Sequence, residues 1–155
     1  MALTKVRSGG IANNALNVPA FHASLTSDQS ISNATYTRIN FDTELFDSDG
    51  TYDNSSNYRF TPAVAGKYYL YTSVRTKTAT DFNNFQITIR KNGSDVIFGN
   101  VGHVHFENNL VVGIVDSDSD DYFDVTMYQD SGGSVNARGE TLGKETFFGG
   151  FRITT

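Results

Sequence analysis

The stretch YRFTPAVAGKYYLYTSVRT, residues 58–76, decides how the chain is read. Its middle, residues 66–74, has the tyrosine- and valine-rich character of a β-strand. Successive side chains of a strand point to opposite faces. Tyr68 and Leu70 therefore share one side, and Tyr69 and Tyr71 share the other. A strand with one wet face would carry polar residues on its second side. Here the second side also needs a cover.

The surrounding composition extends this reading. The chain has 155 residues, enough for one domain with a real core. Twelve Phe and eight Tyr supply it, without Trp or Cys. Fourteen Gly, with many Asn, Asp and Ser, supply turns. Short apolar runs (AFHASLT, YTRINF, FNNFQITIR, DVIFG, HVHF, LVVGIV, YFDVTMYQ and TFFGGFRIT) alternate with turn clusters such as FDSDGTYDNSSN, KNGSD and DSDSDD. Phe85, Ile87 and Ile89 alternate with Gln86, Thr88 and Arg90, a period of two. About ten short strands spaced by turns predict an all-β sandwich or barrel. Residues 1–19 are small, polar and rich in Gly and Asn, and read as an extended arm; the domain is expected over residues 20–155.

Two further runs, LVVGIV (110–115) and TFFGGFRI (146–153), are also apolar on both parities. One side of such a sheet is covered by the partner sheet of the sandwich. No segment of this chain is left to cover the other, so a partner subunit is the natural cover. An aromatic side chain buries about 150–250 Å², worth roughly 4–6 kcal/mol before entropy at ~25 cal/mol/Å². The alternative is that Tyr69 and Tyr71 lie flat with their hydroxyls in water.

The run Phe41-x5-Asp47-x4-Tyr52-x7-Phe60-x5-Gly66-x-Tyr68-x-Leu70 resembles the signature of the complement C1q globular head, within the tumour-necrosis-factor-like superfamily. AFHASLT resembles the opening strand, and FFGGFRI the closing one. Lys91-Asn92-Gly93 resembles a hairpin whose type I′ turn wants positive φ at both central residues. LVVGIVDSDSDDYFDVTMY resembles the family's strand, acidic turn and strand, with Asp120-Asp121 where the family has Gly-Asp. Leu70 and Thr72 stand where the family has aromatics, and no collagen repeat precedes the domain. The resemblance implies a ten-stranded antiparallel jelly roll that forms a homotrimer, with Tyr69 and Tyr71 in the subunit interface. Phe41, Phe60, Tyr68, Leu70, Phe85, Ile87 and Ile89 would be core, and Gly66, Asn92 and Gly93 turn residues.

The opening MALTKVRSGGI resembles that of many bacteriophage tail-fibre or appendage proteins, especially marine ones. That implies a virion protein joined to a larger assembly through residues 1–19; otherwise an extracellular location is expected. The opening lacks the apolar run of a signal peptide, and no run approaches the roughly 18 apolar residues of a membrane span. A net charge of −5 with scattered Lys and Arg argues against nucleic acid. Three N-x-S/T sequons, at Asn33, Asn54 and Asn92, are read as chance in an Asn/Ser/Thr-rich chain.

Chemistry is sparse. There is no thiol and no G-x-S-x-G signature, so no enzyme is expected. Asp116, Asp118, Asp120 and Asp121 form either a Ca²⁺ site or a plain solvated turn. Asp47, Asp49 and Asp53 around Gly50 are a weaker cluster. His103 and His105 share a strand face, which on a three-fold axis would gather six imidazoles, or else they are ordinary strand residues. The expected function is a non-enzymatic trimeric head that contacts a cell-surface glycan or protein through loops 47–57, 77–84 and 130–145. The alternatives are a secreted C1q-like lectin or signalling module, and a monomeric carbohydrate-binding jelly roll.

Overall fold

The computed structural model describes residues 17–78, 81–104, 108–141 and 143–154. Among these the ordered elements are thirteen β-strands. Five of them, β2 (Gln29–Ile31), β3 (Thr37–Arg38), β5 (Tyr52–Asp53), β6 (Arg59–Phe60) and β12 (Val135–Ala137), have two or three residues each. The run DVIFG and the first two residues of HVHF, read separately in the sequence, lie on one continuous strand, β9 (Ser94–Val104); the rest of HVHF lies outside the described residues.

The strands form an antiparallel jelly roll. One sheet has the order β10 (Asn108–Ser117), β7 (Gly66–Arg75), β13 (Phe147–Thr154), β1 (Ala20–Ser24), β4 (Thr43–Asp47). The other runs β5, β6, β11 (Phe123–Gln129), β8 (Phe82–Lys91), β9, with β3 also on β11. β12 and β2 form a small pair at one end.

The core lies between the two large sheets and follows strand parity. Phe21 and Ala23 enter it from β1, Tyr68, Leu70 and Val74 from β7, and Phe148 from β13. Phe60, Phe85, Ile87, Ile89, Phe123, Val125 and Met127 face them from the second sheet. Phe41, ahead of β4, is also fully buried. Phe21 is the hub. Its ring stacks on Phe60 at 4.3 Å and Tyr52 at 5.1 Å and meets the Phe148 edge at 4.9 Å. These offset and edge contacts are the favoured geometries for aromatic quadrupoles. Tyr52 keeps its hydroxyl satisfied by donating to the Phe41 carbonyl at 3.2 Å, and burial pushes its phenol far above the usual range.

The β8–β9 hairpin closes at Asn92 and Gly93, whose φ values are +52° and +79°, as the I′ geometry demands. Gly66 sits at the start of β7 with φ +152°.

Candidate functional site: the outer face of the five-stranded sheet

The register of the first sheet brings the second parity of four strands into rows. Ile114, Tyr69, Phe151 and Ala20 lie side by side across β10, β7, β13 and β1. Val112, Tyr71, Gly149, His22 and Phe46 form the next row, reaching β4. Leu110, Ser73 and Phe147 begin a third. These residues face away from the core.

The aromatic members touch one another. Tyr69 lies 5.5 Å from Phe151 and 6.1 Å from Tyr71. Tyr71 meets Phe147 at 6.1 Å, and the His22 ring stacks on Phe147 at 5.2 Å and on Phe46 at 6.4 Å. Tyr69, Tyr71, Phe147 and Phe151 are half-buried by these contacts. The aliphatic row is not covered. Leu110 and Ile114 are each 62 % exposed and Val112 45 %, with Phe46 at 53 % beyond them.

Gly149 makes the centre of this face possible. A Cβ there would stand 2.4 Å from Cζ and Oη of Tyr71. With only hydrogen at that point, the Tyr71 ring lies across β13 and places its hydroxyl 3.0 Å from Nδ1 of His22 on β1. Burial lowers the His22 pKa, with a hydrogen bond to the Gly143 backbone working in the opposite sense. Burial, and more weakly Tyr69, raises that of Tyr71. Both groups are therefore neutral near pH 7, and the phenol donates to Nδ1.

The acidic residues have partners of their own. Asp116 pairs with Lys67 at 2.5 Å. Asp121 is buried; that burial raises its pKa, but Lys91 at 2.6 Å, the Asp118 N–H at 2.6 Å and the Asn92 amide at 2.6 Å outweigh it and lower it. The turn 116–121 is thus pinned to the β8–β9 hairpin. Asp118 and Asp120 are exposed. Asp47 accepts from the N–H groups of Asp49 and Tyr52 and from the Thr51 hydroxyl. Asp53 caps the turn 55–57 through Ser55, Ser56 and Asn57, which hold its carboxyl far below the usual range. Among the described residues, no group of three or more His, Asp or Glu is placed to hold a metal ion. His103 lies in β9, and His105 lies outside the described residues.

No family model matches the sequence, and no curated protein does either. Solved structures do match the fold. A crystal structure of murine APRIL at pH 5.0 superposes with a TM-score of 0.64 at 13% identity, covering 86% of this chain and 98% of that one. The globular domain of zebrafish complement 1qA protein gives 0.60 at 13% identity, covering 87% and 97%. The chain has the C1q/tumour-necrosis-factor-like fold. Murine APRIL at pH 8.0 gives the same picture, with a TM-score of 0.63 at 14% identity over 86% and 98%.

Sequence reading had singled out Tyr69 and Tyr71 and the double-sided character of β10 and β13. It passed over His22, Phe46 and Gly149. His22 was legible from parity, since AFHAS puts Phe21 and His22 on opposite sides. Phe46 and Gly149 needed the register, because their places in the row come from strands distant in sequence.

Proposed function

We propose that this C1q/tumour-necrosis-factor-like domain is a non-enzymatic recognition head that works as a homotrimer. The observation that carries it is the row of Leu110, Val112 and Ile114, exposed beside an aromatic network that half-buries itself. Completing the burial of Leu110 or Ile114 is worth roughly 1–2 kcal/mol each, and each chain of a symmetric assembly gains it. Sugar binding by the aliphatic row is disfavoured, because Leu, Val and Ile side chains offer sugar hydroxyls no hydrogen bonds.

Three copies on one rigid head raise the avidity of individually weak contacts. The ligand in this reading is a cell-surface glycan or protein, met by loops within 47–57, 77–84 and 130–145. Residues 79–80 and 142 of these lie outside the described set. The opening MALTKVRSGGI favours a virion appendage as the setting, with residues 1–19 as the attachment; residues 1–16 lie outside the described set. A gene neighbourhood of virion structural genes is expected, and one of secretory genes would favour the cellular lectin or signalling module.

The chain has no cysteine, so Phe98→Cys, exposed on β9 in the other sheet, introduces a single thiol for a spin label outside the proposed interface. Dipolar spectroscopy is expected to show three coupled spins per particle. An uncoupled spectrum at tens of micromolar protein would contradict the trimer.

A further inference from the structure

A second feature lies at the end of the sandwich, within one chain. β13 sends Phe148, Gly150 and Arg152 inward, and Arg152 is the last of them, opposite Tyr68 on β7. Its side chain is 7 % exposed, yet no carboxylate of the described residues lies within ion-pairing reach of it. One Nη donates to the Ala65 carbonyl at 2.9 Å, while Nε is buried with no hydrogen-bond partner. Other partly buried arginines are held differently: Arg75 has Glu145, and Arg38 lies over the Tyr58 ring. A buried guanidinium without a counter-charge costs several kcal/mol unless an anion completes it.

Arg152 also lines a pocket of about 240 Å³, together with Val18, Pro19, Thr51, Pro62, Ala63, Val64 and Asp49. Apart from Arg152, Thr51 and Asp49, the lining is apolar. Asp49 is exposed, and its carboxylate accepts from the Ser48 hydroxyl. The volume equals about eight water-sized groups at ~30 Å³ each.

We propose that this pocket binds a small organic carboxylate, its carboxylate on Arg152 and a compact apolar body against Pro19, Pro62 and Val64. The buried Arg152 selects the ligand class, because the pocket's one carboxylate, Asp49, is exposed and engaged by Ser48. The planar guanidinium matches a carboxylate in a two-point contact, and the apolar walls reject an inorganic anion that would keep its water. Tyr68 supports the floor, since its hydroxyl donates to the Val64 carbonyl at 2.7 Å and so fixes the segment that Arg152 also holds. The proposal is independent of the trimer, because every residue named belongs to one chain.

The test is a titration of the ¹⁵N-labelled protein with n-hexanoate, n-hexanol and n-hexylamine. Hexanoate is expected to shift the amides of Ala63, Val64 and Ala65 saturably, and to bind about ten- to a hundred-fold more tightly than hexanol, as a charge-assisted contact implies. Hexylamine is expected not to bind. Arg152→Met should erase the preference for the acid. Should that variant fail to fold, the wild-type comparison of acid with alcohol still decides, as does Val64→Phe. That residue is 40 % exposed, so enlargement fills the pocket without disturbing the core, and it should weaken hexanoate binding at least ten-fold. Equal binding of hexanoate and hexanol, shifts elsewhere, or no saturation by tens of millimolar hexanoate would overturn the proposal.

Discussion

Along the outside of β8, Gln86, Thr88 and Arg90 follow one another; along the outside of β10, in the opposite sheet, the alternate positions hold Leu110, Val112 and Ile114. The polar face closes on itself. Gln86 donates to Thr88 at 3.3 Å and accepts from the Tyr36 hydroxyl at 2.9 Å. Arg90 makes two bonds to Asp124, at 2.8 and 2.6 Å. Tyr36 is folded over the sheet, its ring 4.8 Å from Tyr128. Aliphatic side chains have no such local option, because what they need is removal from water. A polar outer face is thus complete within one chain, and an apolar one is complete only against another body.

Phe98 sharpens this contrast. It is 64 % exposed on β9, with Val96 at 41 % two residues along, and so matches Leu110 and Ile114 in exposure, but across the strand pair it faces Thr88, between Gln86 and Arg90. Replacing Leu110 and Ile114 together by Asp should give the largest effect, since each trimer would then bury six carboxylates. The particle is expected to fall apart into folded monomers, with the midpoint of dissociation raised at least a hundred-fold in concentration and the monomer's circular dichroism retained. Phe98→Asp, at equal exposure, should leave the mass unchanged. If both variants dissociate, or neither does, the distinction between the faces collapses.

Gly149→Ala should come next. The new Cβ would displace the Tyr71 ring, break its hydrogen bond to His22 and roughen the centre of the face. A loss of about 1–3 kcal/mol is expected, read as a lower thermal midpoint together with weaker assembly. An unchanged midpoint would mean that Tyr71 does not occupy this position in solution.

The smallest effect concerns pH. His22 has its pKa lowered by burial from the ordinary 6.5, so the folded chain resists the proton that the unfolded chain accepts. Stability is then fully present above that ordinary value and declines as pH falls below it. Assembly should weaken in the same direction, because a partner would bury His22 further among Phe46, Phe147 and Tyr71. Denaturation and dissociation midpoints measured from pH 8 to pH 5 should both fall, and His22→Gln should flatten that part of the profile. A rise toward acid pH would contradict this assignment.

The architecture was readable because its signals are local. The period of two in Phe85, Ile87 and Ile89, the Asn92-Gly93 turn and the runs apolar on both parities each depend on neighbours in sequence. The rows were not readable. That Val112, Tyr71, Gly149, His22 and Phe46 lie side by side depends on pairing among five strands from opposite ends of the chain. The acidic turn stayed open between a cation site and a plain turn for a related reason. Alternate carboxylates look alike in sequence whether they await a cation or already have Lys67, Lys91 and Asn92 as partners. Arg152 gave no sequence signal, because an arginine on a strand is expected at the surface.

The most direct measurement is the solution mass of the wild-type chain by light scattering at pH 8, over a dilution series from high to low micromolar. The account predicts a particle of three 17.0 kDa chains that persists on dilution. A single 17.0 kDa species throughout, with Leu110 and Ile114 left in water, would contradict it.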